Sequence, residues 1–99
     1  MCGIVALVGS REAAPQLLEG LRQLEYRGYD SAGIATVAAQ GQLTCLRAKG
    51  KLRNLTACMD KEGAPGQCGI GHTRWATHGK PEERNAHPHR SSDGAVAVV

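Results

Sequence analysis

The 99-residue chain contains no Phe, and its aromatic residues are Trp75, Tyr26 and Tyr29. A nucleic-acid module that stacks bases on rings has little to work with here. The four cysteines, Cys2, Cys45, Cys58 and Cys68, form no C-x-x-C pair, which removes zinc-ribbon and thioredoxin-type readings. Lys and Arg are dispersed and the net charge is +3, so there is no polybasic arm and little indication of an acidic partner. The run Gly3–Val8 is apolar but short, no basic region precedes it, and nothing approaches the roughly 20 residues of a membrane span. Phosphate loops are missing as well. Pro81 follows Gly79-Lys80 where a Ser or Thr is needed, and Gly69-Ile70-Gly71 runs on to Arg74 rather than to a third glycine. There is no internal repeat and no low-complexity segment. These absences point to a reduced, cytosolic protein with free thiols, no cofactor, no nucleic acid and no membrane.

What is present is an ordinary globular composition, 41% hydrophobic and 21% charged, at a length that permits one small domain and excludes two. Cys2–Val8 is β-branched and closed by Gly9-Ser10, which predicts a buried strand. A helix is expected from about Ala13 to Tyr26. Pro15 fits its first turn, Leu17, Leu18, Leu21 and Leu24 make one stripe, and Gly28 stands at its stop. Gly33–Ala39 and Gln42–Ala48 read as a hairpin about Gln40-Gly41. Leu52, Leu55 and Met59 mark a second helix over Lys51–Asp60, followed by a loop over Lys61–Gln67. Cys68–Gly71 is a short strand, Thr73–Asp93 a long polar loop of the kind that carries function, and Ala95–Val99 a final strand.

Three features could carry chemistry. Once Met1 is removed, Cys2 holds a thiol and a free α-amine on one residue, so that the thiol attacks and the amine moves the proton. The same residue could equally be a small side chain that starts a strand. Gly69–Gly79, G-I-G-H-T-R-W-A-T-H-G, delivers Arg74 and Trp75 into a glycine-bracketed loop beside Thr77 and His78. The planar Arg fork suits a carboxylate, and packing for stability is the alternative. His87-Pro88-His89 invites a metal, but the spacing matches no zinc set, and backbone-bonded loop histidines are the plainer reading.

Taken in order, C-G-I-V at the start, L-E-Y-R-G-Y-D-S-A-G-I at Leu24–Ile34, G-H-T-R-W-A-T-H-G at Gly71–Gly79 and N-A-H-P-H at Asn85–His89 resemble one family over essentially the whole chain. They look like the glutaminase domain of the glutamine–fructose-6-phosphate aminotransferases, the glucosamine-6-phosphate synthases. The resemblance implies an α+β fold, the four-layer αββα sandwich of N-terminal-nucleophile hydrolases. Residues 2–99 would be an incomplete type-2 glutamine amidotransferase domain, with the sugar isomerase domains absent. It implies further that Cys2 attacks the side-chain amide of L-glutamine, that Arg27 and Gly28 orient the terminal residue, and that Arg74 holds the substrate carboxylate with help from Thr77 and His78. Trp75 would gate ammonia, His87 would lie near the sugar-handling portion, and no metal would be bound. Fructose-6-phosphate would meet only the missing domains, and the parent enzyme would be a homo-oligomer.

Ala6 departs from a glycine common in the family after C-G-I-V. The family continues past its last matched strand with the Asn and Gly of the oxyanion hole, and Val99 stops short of both. The isolated chain is therefore expected neither to fold stably nor to turn over glutamine, since losing even one oxyanion donor costs about 10²–10³ in rate. An amidophosphoribosyltransferase-type glutaminase is the alternative family. A metal or redox module, and a non-catalytic piece that pairs through its strand edges, are alternatives of other classes.

Overall fold

The structure, a computed structural model, describes all residues from Met1 to Val99. Strand β1 spans Gly3–Val8, helix α1 Ala13–Gln23, β2 Ser31–Val37, β3 Leu43–Lys49, helix α2 Leu52–Glu62 and β4 Cys68–Arg74; two short strands follow, β5 at His89–Arg90 and β6 at Ala97–Val98. The first four strands form one antiparallel sheet in the order β1-β4-β2-β3, and β5 pairs with β6 in a separate ribbon.

Both helices pack on one face of the sheet. Leu17 and Leu21 of α1 and Leu52 and Leu55 of α2 close over Ile34, Ala32, Leu46 and Ala48, within a core of twelve buried residues. Of the leucine stripe read from the sequence, Leu17, Leu18 and Leu21 are buried, and Leu24 falls at the helix C-cap, half-buried. Glycines bring α1 close to the sheet. A Cβ added at Gly69 would lie 2.8 Å from Leu17 Cδ1, and one at Gly20 would lie 2.9 Å from Val5 Cγ1. The helical propensity lost at Gly20 is offset by this close approach of helix to strand.

The opposite face is only partly covered. The segment around Ala86–His89 lies over β2 and β3. The Arg47 guanidinium donates to the carbonyls of Arg84 and Ala86, and the Cys45 thiol donates to that of Pro88. Ile4 and Val8 of β1 stay exposed on this face. The layers are thus helices, a four-stranded antiparallel sheet and a small ribbon, an incomplete N-terminal portion of the αββα arrangement expected from the motifs.

Several boundaries differ from the sequence reading. Helix α1 ends at Gln23 rather than Tyr26, because Glu25–Arg27 tightens into a 3-10 turn and Gly28 takes φ 78°. Strand β4 runs past Gly71 to Arg74, since His72, Thr73 and Arg74 pair with β2 on one side and Thr73 with Gly3 on the other. Within the predicted Thr73–Asp93 loop, His89–Arg90 pairs with Ala97–Val98.

Candidate functional site

The register decides what meets at the site. Strand β4 lies between β1 and β2, antiparallel to both, with Gly3 opposite Thr73 and Ser31 opposite Arg74. The start of the chain, the turn before β2 and the loop after β4 therefore converge at one end of the sheet. Residues 2, 27–30 and 74–77 become neighbours although about 70 positions separate the first from the last.

Cys2 is exposed, and its Sγ accepts a hydrogen bond from the Trp75 N–H at 3.4 Å. In return the thiol faces the Trp75 carbonyl at 3.9 Å. The terminal amine of Met1 reaches the Arg27 carbonyl at 3.4 Å, and the Arg27 guanidinium touches Met1 Sδ. Gly28, in the left-handed region, faces the Trp75 ring: a Cβ there would stand 3.7 Å from two ring carbons. Trp75 itself is half exposed. Cys2, Arg27, Gly28 and Trp75 thus form one cluster.

Arg74 points elsewhere. It is buried, and its guanidinium donates to the Lys80 carbonyl at 3.2 Å and to the His78 carbonyl. It ties down the 78–80 turn, leaving Thr77 and His78 exposed on the loop surface. His87 stacks on the buried His72 and on His89, each pair of rings 4.4 Å apart. Burial, and then the positive charges of His87, Arg74 and His89, push the His72 pKa down to about 4. Burial, and then His89, Arg74 and Arg47, push that of His87 down as well. His, Cys, Asp and Glu side chains nowhere form a group of three that could hold a metal ion.

A further neighbour of the cluster is Asp30. Asp30 Oδ2 accepts the Ala76 N–H at 2.7 Å. Its signals in the sequence were its place in the Leu24–Ile34 motif and its position, an acid between Gly28 and the start of a buried strand.

No family model matches the chain. Curated relatives do, over all of it. It is 62% identical to glutamine–fructose-6-phosphate aminotransferase [isomerizing] of Thermosynechococcus vestitus, and 58% identical to that of Gluconobacter oxydans. The relation is to the N-terminal part of the glutamine–fructose-6-phosphate aminotransferases. The chain spans 16% of the length of those two relatives. Among solved structures it resembles the glutamine phosphoribosylpyrophosphate amidotransferase of B. subtilis, described as complexed with ADP and GMP. The TM-score is 0.66 at 30% identity, covering 93% of this chain and 19% of the other. The aminotransferase kinship and the amidotransferase fold agree with the motifs at Cys2, Leu24–Ile34 and Gly71–Gly79. No helix is long and apolar enough to cross a membrane.

Proposed function

We propose that this chain carries the nucleophile half of a glutaminase site, in which Cys2, after loss of Met1, releases ammonia from the side chain of L-glutamine. The observation that carries the reading is the Trp75 N–H at 3.4 Å from Cys2 Sγ, with the chain terminus against the Arg27 carbonyl. The Cys2 α-amine takes the thiol proton as sulfur attacks the amide carbon, and returns it to the departing nitrogen. Ammonia leaves, and a γ-glutamyl thioester remains. Water then cleaves the thioester with the amine as base, giving glutamate and the free thiol. Removal of Met1 clears its sulfur from Arg27. The substrate carboxylate is assigned to Arg74 with Thr77 and His78, where it exchanges with the carbonyls of His78 and Lys80 for the same guanidinium. Trp75, lying over Gly28, gates the ammonia, and His87 faces the sugar-handling portion.

In the whole protein the ammonia passes to fructose-6-phosphate, giving glucosamine-6-phosphate for hexosamine synthesis by a cytoplasmic homo-oligomer. Identity of 62% to an aminotransferase, against 30% to the phosphoribosylpyrophosphate enzyme, favours this acceptor. Residues 2–99 contribute part of a type-2 glutaminase domain. The test is mass spectrometry of the whole protein after exposure to a diazo-ketone analogue of glutamine. A single adduct on Cys2, in chains lacking Met1, is expected. Labelling at Cys45, Cys58 or Cys68 instead overturns the reading.

A further inference from the structure

The two peptide groups that flank Trp75 lie between Cys2 and Asp30. The first joins Arg74 to Trp75. Its N–H donates to Cys2 Sγ at 3.4 Å, and its carbonyl, that of Arg74, accepts the Asp30 N–H at 2.8 Å. The second joins Trp75 to Ala76. Its carbonyl faces the Cys2 thiol at 3.9 Å, and its N–H donates to Asp30 Oδ2 at 2.7 Å. In a trans peptide the N–H and C=O point in opposite directions, so fixing one end fixes the aim of the other. Asp30 holds the far end of both planes, and Cys2 meets the near end of both.

Asp30 is itself anchored. Its carbonyl accepts the Gly50 N–H at 2.8 Å, where β3 ends. No cation pairs with its carboxylate, the ion pairs being Arg22–Glu19 and Arg84–Glu82. Oδ1 is sealed from solvent and accepts no hydrogen bond from the protein. Burying a carboxylate oxygen without a partner is costly, and neither core packing nor an ion pair accounts for it.

We propose that Asp30 is a positioning residue, which grips both peptide groups flanking Trp75 and thereby aims the Trp75 N–H and carbonyl at the Cys2 sulfur. It touches neither substrate nor sulfur and acts through the Trp75 backbone. Its relevance to catalysis rests on the reading of Cys2 as the nucleophile, but the contact itself is measurable without glutamine.

The experiment uses Asp30→Ala and Asp30→Asn in the whole protein, as the labelling test above does. Cys2 and Cys68 are both exposed, so Cys68 is an internal reference for alkylation by iodoacetamide, read site by site by mass spectrometry. Trp75 is the single tryptophan of residues 1–99, so with tryptophans outside them replaced by Phe, iodide quenching of its fluorescence reports this loop alone. Asp30→Ala is expected to move the Cys2-to-Cys68 alkylation ratio toward its value in concentrated urea by about two- to tenfold, the effect of one hydrogen bond, and to raise Trp75 quenching. Asp30→Asn keeps an acceptor oxygen and is expected to restore both readings to within about twofold of the parent chain. A loss of folded structure alone would not be rescued selectively in this way. Asn behaving like Ala, Ala behaving like the parent, or a parent ratio already equal to that in urea overturns the inference. If instead the glutamine analogue fails to label Cys2 while these alkylation and quenching results hold, only the glutaminase reading falls.

Discussion

His72 sits where β4 leaves its glycine-rich stretch, buried beneath His87 and close to Arg74. Its neutral form is favoured in the fold, with a pKa of about 4 against the ordinary 6.5. Between those values the unfolded chain binds more protons than the folded one, so stability rises with pH across that window and is lost as pH falls from about 6.5 toward 4. The direction for His87 is the same. The loss at the acid end is on the order of 3 kcal/mol. In the whole protein, urea midpoints measured from pH 7 down to 4 should fall steadily, and His72→Gln should flatten the slope. A flat profile in the unsubstituted protein would show that these rings are not buried against one another. Cys45 lies on the same face, and burial pushes its thiol up and away from reactivity. That leaves exposed Cys2 and Cys68 as the thiols a reagent meets first.

At the level of elements, Gly20 gives a test with an unexpected sign. In an isolated helix Gly→Ala gains up to about 1 kcal/mol. Here the added methyl would stand 2.9 Å from Val5 Cγ1, and a short β-branched side chain has little room to give. Gly20→Ala should therefore lower the urea midpoint of the whole protein, and Val5→Ala in the same protein should restore part of the loss. Independent additivity of the two changes would argue against the close approach. Leu21→Ala, which empties a fully buried site on the same helix, should cost about 2–5 kcal/mol. Periodicity made α1 and α2 legible, because each buries one face whose spacing is written in leucines; the β2–β3 pair was legible from its Gln40-Gly41 turn, β2 itself being buried on both faces. It could not carry β4 to Arg74, because His72, Thr73 and Arg74 are polar and are held there by pairing with strands distant in sequence. Nor could it end α1 at Gln23, where the chain tightens into the Glu25–Arg27 3-10 turn before Gly28 takes φ 78°. The cluster of Cys2 with Arg27, Gly28 and Trp75 was legible only as motifs in order. Asp30, whose role lies in which backbone groups it grips, has no spacing to betray it.

For the whole molecule, the two faces of the sheet are unequal. One carries both helices and the twelve-residue core. On the other, Ile4 is 59% and Val8 84% exposed, and the nearby ribbon leaves Val96 and Val98 each 56% exposed. Strand β1 is also an edge of the sheet, with one side of its backbone unpaired. A bare apolar face beside a free edge favours association and the binding of apolar dyes. The relatives are about six times longer than this chain, so they have residues enough to cover such a face. The 99-residue chain should bind an apolar fluorescent dye strongly and sediment as mixed oligomers at high concentration. Ile4→Thr with Val8→Thr should reduce both effects, because Thr keeps the β-branched shape while reducing the apolar surface. Joining the chain to the sequence that follows the matched segment in the Thermosynechococcus relative should reduce dye binding further, if that sequence covers this face. Equal dye binding by the short and lengthened proteins would mean that the relative's following sequence leaves this face open.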